Sequence, residues 1–81
     1  MNIQFYCPVA LCDIPERIHG VELRYHVCYS HGSERDYFGR CGAISLMFKA
    51  LKARLQRDAS IFDVQVFLPS GRFLCECTRW C

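Results

Sequence analysis

At 81 residues, 52% hydrophobic and 14% aromatic, the chain has the length of one domain and too much apolar side chain for a disordered one. Its net charge of +2 is far from the basic excess that phosphate binding leaves in a small domain, and it excludes an acidic mimic of DNA. No apolar run approaches the length that spans a bilayer.

Residues 1–12, MNIQFYCPVALC, carry no basic n-region, and Asn2, Gln4 and Pro8 interrupt their apolar run, so they do not read as a signal peptide. The expectation is a soluble protein of a reducing cytoplasm, with no membrane partner. No repeat, low-complexity tract or linker divides the sequence, and residues 1–81 are read as a single domain.

In chain order, NIQFYC is a candidate strand, and residues 8–20, with Pro8, Pro15 and Gly20, read as a loop. The clearest strand follows in VELRYHVCYS. There Val21, Leu23, Tyr25, Val27 and Tyr29 alternate with Glu22, Arg24, His26, Cys28 and Ser30, the period of a sheet with one buried face. HGSE supplies a turn, and RDYFGRC returns as a hairpin partner in which Gly39 weakens the strand or marks a bulge.

From Gly42 to Asp58 the period changes to that of a helix, with Ile44, Met47, Phe48, Leu51 and Leu55 on one stripe. Its other side carries Ser45, Lys49, Lys52, Gln56 and Arg57, with Arg54 near the border. The late cations complement the helix dipole. IFDVQVFL then sets Phe62, Val64, Val66 and Leu68 against Asp63, Gln65 and Phe67. PSGR turns, and RFLCECT closes a second hairpin. The predicted fold is α+β: an antiparallel sheet of four or five strands with one helix packed on one face, in the order β-β-β-α-β-β.

Seven cysteines are an odd set, and cytosolic thiols stay reduced, which disfavours a disulfide framework. In a strand, Phe73, Cys75 and Cys77 share a face opposite Leu74, Glu76 and Thr78, so these thiols read as small core residues. Zinc knuckles need spacings such as C-x2-C. Here Cys7 and Cys12 are C-x4-C and Cys75 and Cys77 are C-x-C. If the terminal strands are neighbours, Cys7, Cys12, Cys77 and Cys81 can still converge on a metal or a disulfide. His26, Cys28 and His31 add ligand types, but on a strand and in a turn. We therefore expect free, structural thiols and no cofactor. Cys41, beside Arg40 and just before the helix, is the one candidate for a lowered thiol pKa; a strand-end residue, with Gly42 easing the turn into the helix, is the commoner account. No paired carboxylates, phosphate loop or nucleophile–base order is evident, which points away from an enzyme.

Two surfaces are candidates for binding. Lys49, Lys52, Arg54 and Arg57, with Arg35 and Arg40 nearby in sequence, form the one cluster of a single sign and could meet phosphate; a solvated helix face is the plainer account. On the open side of the sheet, Tyr6, Phe67, Leu74 and Trp80 fall outside the core alternation. With Arg72 they are the residue types that anchor protein partners, unless Val9, Leu11, Ile14 and Ile18 cover them. Neither the paired aromatics of a sheet-type RNA reader nor a helix-turn-helix pattern is present.

The layout from Val21 to Trp80, a hairpin, a helix and a second hairpin with scattered cysteines and no catalytic motif, resembles the short accessory proteins of phages and mobile elements, among them the anti-CRISPR proteins. The resemblance lies in size and element order, so no site residues are carried over from it. It implies a stoichiometric inhibitor in the cytoplasm of a host bacterium, docking on a nucleic-acid-guided effector complex and blocking target DNA binding or nuclease recruitment. The alternatives are a nucleic-acid-binding module that uses the basic helix face, and a zinc-stabilised mini-domain.

Overall fold

The alternation of residues 21–30 folds as the expected hairpin strand, β2 (Glu22–Tyr29), and it returns as β3 (Glu34–Arg40). The computed structural model describes residues 2–8, 20–40 and 44–80. Within them the helical stripe forms α1 (Ile44–Arg57), and the second hairpin is β4 (Ile61–Phe67) and β5 (Phe73–Trp80). The N-terminal segment is a true strand, β1 (Asn2–Tyr6), which pairs with β5. All five strands lie in one antiparallel sheet of spatial order β1-β5-β4-β2-β3, with α1 on one face, as the α+β reading expects. No helix among the described residues is long and apolar enough to cross a membrane.

Both hairpin turns depend on glycine. Gly32 and Gly71 adopt φ of 95° and 90°, a region costly for residues with a Cβ. Each donates its N–H back across its turn, Gly32 to the carbonyl of Tyr29 at the end of β2 at 3.0 Å and Gly71 to that of Leu68, just past β4, at 2.8 Å. Gly39 marks no bulge: it sits opposite Leu23 in an unbroken register.

The core joins Leu23 and Val27 of β2, Met47, Leu51 and Leu55 of α1, Val64 and Val66 of β4, and Cys75 and Cys77 of β5, all buried. Phe48 is partly buried at the border, its ring 4.6 Å from that of Phe5. Cys75 and Cys77 are fully buried under the helix, which answers the first question their spacing raises. They pack as small apolar side chains.

Two bulges correct the simple alternation. Cys28 pairs with Asp63 but Tyr29 pairs with Ile61, so Phe62 is an extra residue in β4. Ile61 takes the core position, and Phe62 is 43% exposed. Likewise Val66 pairs with Cys75 but Phe67 with Phe73, which leaves Leu74 as the extra residue of β5. Leu74 is therefore buried and not on the open face, and Phe73 leaves the face of Cys75 and Cys77 to join Phe67. A bulge lets two successive side chains share one side of the sheet, and alternation alone cannot locate it.

Arg79 fastens the turn between α1 and β4 to the sheet, donating to the carbonyls of Ala59 at 2.9 Å and Asp58 at 3.1 Å. Asp58 in turn accepts from the Ser60 N–H and hydroxyl, which holds its carboxyl below the ordinary range.

Because Leu51 is buried at the centre of the helix stripe, Leu51→Ala is expected to lower stability by about 2–4 kcal/mol. Urea unfolding of the two proteins measures it. A loss below about 0.5 kcal/mol, the range of surface changes, would mean that α1 packs with another face.

Candidate functional site

The helix does not cover the whole sheet. Its backbone approaches β5, β1 and β4 and comes close to neither β2 nor β3. β3 is a sheet edge, and residues 34–38 and 40 are exposed although they alternate between the two faces. The β2–β3 hairpin therefore presents side chains to solvent on both sides, and the chemistry of the molecule gathers there.

On the helix side a groove of about 480 Å³ runs between α1 and the hairpin. Tyr25, Met47 and Leu51 form its floor, Tyr37 and Leu46 its walls, and Arg40, Arg54 and Arg57 its rim, with no acidic side chain among the described residues that line it. The Arg54 guanidinium lies 5.2 Å from the Tyr37 ring centroid, and the Tyr37 hydroxyl is 3.4 Å from that of Tyr29. Leu46 is 58% exposed, an apolar side chain with nothing of its own fold to cover it among the described residues.

The basic cluster read from sequence is split by helix geometry. Lys49 precedes Arg54 by five residues and Lys52 precedes Arg57 by five, an offset of about 140° around the helix. Arg54 and Arg57 turn toward β3 and meet Arg40 at the groove, whereas Lys49 and Lys52 are exposed and do not line it. Arg35 does not line it either.

The open face carries the other candidates. Phe67 is flanked by the Arg24 guanidinium, 4.4 Å from its ring centroid, and by the Phe73 ring at 5.8 Å and 69°. Opposite Arg24 in the register stands Phe38, 65% exposed. Tyr6 is 55% exposed but belongs to β1, with β5 between it and β4. Arg72 is exposed in the β4–β5 turn. Trp80 ends β5 opposite Asn2, and its side chain lies outside the described residues, as do Cys12, Cys41, Cys81 and the loop residues Val9, Leu11, Ile14 and Ile18. Tyr6 and Phe67 thus share the open face on strands separated by β5, and Arg72 lies in the turn beside Phe73. The aromatic–arginine band consists of Phe38, Arg24, Phe67 and Phe73, and sequence reading missed Arg24 and Phe38 because they occupy polar positions of the alternation.

Beside this band the open face is polar. His26 lies with Nδ1 2.6 Å from Asp36 Oδ1 and Nε2 2.9 Å from Glu34 Oε1. The Cys28 thiol donates to the same Glu34 oxygen at 3.8 Å. Hydrogen bonds to Asp36 and Glu34 raise the His26 pKa; burial, followed by the charges of Asp63 and Glu34, raises that of Cys28. Sequence reading noted His26 and Cys28 but not Glu34 and Asp36. The signal was present: H-x-C and E-x-D flank a short turn, so each pair shares a face and the antiparallel register sets His26 opposite Asp36 and Cys28 opposite Glu34. Of the terminal cysteines, Cys77 is buried in the core, where burial pushes its thiol up to about 11, and Cys7 donates to the Leu74 carbonyl at 3.4 Å.

No family model matches this chain, and no curated protein and no solved structure matches it.

Asp63 is the buried charge of this face, 8% exposed. It accepts from the Thr78 hydroxyl at 3.1 Å, yet burial and then the Glu76 carboxylate raise its pKa to about 6. A carboxyl whose folded pKa is raised contributes most below its unfolded pKa, and that contribution is lost as pH rises through the folded value. Asp63→Asn, which keeps the acceptor for Thr78, is therefore expected to match the parent near pH 4 and to exceed its stability by about 1–2 kcal/mol near pH 8. Urea unfolding at both pH values, with a chelator present, measures the difference. A difference that stays flat with pH would show that Asp63 ionises like a surface carboxylate.

Proposed function

We propose that this protein is a small, non-enzymatic binding protein that docks on a protein or nucleoprotein partner through the groove between α1 and the β2–β3 hairpin. The observation that carries this reading is the groove's composition, an apolar and aromatic floor beneath three arginines with no acidic side chain among the described residues that line it. Tyr and Arg at a concave, partly desolvated site are the residue types in which binding energy concentrates. The occupant that fits is a partner segment with apolar side chains for the floor and carboxylates for the rim.

Direct nucleic-acid binding is supported less. A phosphate backbone offers nothing apolar to fill the floor, and affinity for it rests on several cations tracking the strand. Here Lys49 and Lys52 diverge from the arginines. The resemblance in layout adds the class of partner: a nucleic-acid-guided effector complex, occupied stoichiometrically so that target DNA binding or nuclease recruitment is blocked. In this reading the cation–π pair of Arg24 and Phe67 is a second contact surface on the opposite face, and Arg72 and Tyr6 are peripheral.

Two charge-reversed proteins separate the hypotheses. The purified parent is expected to give no mobility shift with a generic DNA duplex at about physiological salt. In capture from a nuclease-treated bacterial lysate, Arg54→Glu with Arg57→Glu is expected to reduce partner recovery at least about tenfold, the equivalent of roughly 1.4 kcal/mol. Lys49→Glu with Lys52→Glu is expected to leave it near the parent level. Tight, salt-sensitive duplex binding that both pairs abolish would replace this reading with the nucleic-acid one.

A further inference from the structure

On the face opposite the groove, we propose that His26, Cys28 and Glu34 bind one divalent cation of the zinc class, with Asp36 holding the imidazole from behind. Among the described residues these three bring one ligand atom each within 4.8 Å of the others. His26 Nε2 and Glu34 Oε1 are 2.9 Å apart, and Cys28 Sγ and Glu34 Oε1 are 3.8 Å apart. A tetrahedral ion with Zn–N and Zn–O near 2.0–2.1 Å and Zn–S near 2.3 Å separates its ligand atoms by roughly 3.3–3.6 Å. Side-chain adjustment alone closes that gap, because all three residues project from one face of two paired strands and the backbone need not move.

The donor set selects the ion. One imidazole nitrogen, one thiolate sulfur and one carboxylate oxygen suit a borderline-soft cation, whereas magnesium and calcium demand shells of oxygen. The second shell is also in place. Asp36 Oδ1, 2.6 Å from Nδ1, accepts that N–H and so aims the Nε2 lone pair at the ion, an arrangement that orients metal-bound histidines generally. On binding, the Cys28 thiol proton and any proton on Nε2 pass to solvent, and water takes the fourth position. Charge favours the ion too: Glu34, Asp36, Asp63 and Glu76 all belong to this face by register, while the Arg24 guanidinium reaches Asp36 only at 3.7 Å and lies against the Phe67 ring. The ion would clip the exposed edge strand β3 to β2, supplying a tie that the helix on the other side does not.

This site shares no residue with the groove and stands or falls separately from the docking reading. The test is titration of the reduced protein with Co²⁺, followed by Zn²⁺. One equivalent of Co²⁺ is expected to bind with the near-ultraviolet charge-transfer band of a thiolate ligand and the visible bands of four-coordination, and Zn²⁺ is expected to displace it. Cys28→Ser should lose the charge-transfer band. Glu34→Gln, an exposed and nearly isosteric change, should weaken binding at least about tenfold, and Asp36→Asn roughly 10- to 100-fold. Cys7→Ser should behave as the parent. Circular dichroism of each metal-free variant confirms that it is folded. The proposal is overturned if the parent takes up no stoichiometric Co²⁺ below about 1 mM, or if the charge-transfer band survives Cys28→Ser, which would place the ion on other thiols.

Discussion

A single helix about 10 Å across has to shield a sheet whose five strands span roughly 19 Å from edge to edge. It cannot do so, and the rest of the structure follows from where the deficit falls. Helix α1 lies over β5, β1 and β4, where Cys75, Cys77 and Phe5 are small enough or suitably placed to receive Leu51, Leu55 and Phe48. The uncovered half is the β2–β3 hairpin. Its first strand keeps Leu23 and Val27 in the core, but β3 is an edge with both faces wet. Edge strands without cover invite association, and here the sequence answers with charge on one face and arginines on the other.

The modest net charge conceals a separation. The groove gathers Arg40 of the hairpin with Arg54 and Arg57 of α1, with no acidic side chain among its described lining residues, while the open side assembles Glu34, Asp36, Asp63 and Glu76 around one histidine and one thiol. The two fields are held a sheet's thickness apart. A balance of ten cations and eight anions therefore describes neither surface, and function classes dismissed on net charge have to be judged face by face. The cation–π contacts, Arg54 on Tyr37 and Arg24 on Phe67, mark where each face borders the apolar part of the fold.

Burial on the open face is costly in a way the helix side is not. Asp63 sits between Cys28 and Thr78 in the register, accepting from the Thr78 hydroxyl and the Val64 backbone with the Glu76 carboxylate close by. The face thereby collects negative charge that the fold only partly compensates. Sites of this kind, where like charges are held together by the scaffold, are where ligand or proton binding is coupled to stability. The hairpin is the element most able to respond, since among the described residues β3 has one strand neighbour and no helix above it.

The element order, the helix stripe and the core role of the cysteine pair were legible in the sequence, because periodicity reports directly which side of a strand or helix meets the core. Val64, Val66, Met47 and Leu51 could be assigned from spacing alone. Leu74, Phe73 and Phe62 could not: two bulges reverse their faces, and a bulge is fixed by the partner strand's register. The same holds for the sites. H-x-C and E-x-D were visible as spacings, but only antiparallel pairing sets His26 against Asp36 and Cys28 against Glu34. Arg54 and Arg57 were visible as cations. That they, and not Lys49 and Lys52, meet Arg40 was decided by which side of α1 the sheet left open, a choice made by packing between segments far apart in the chain.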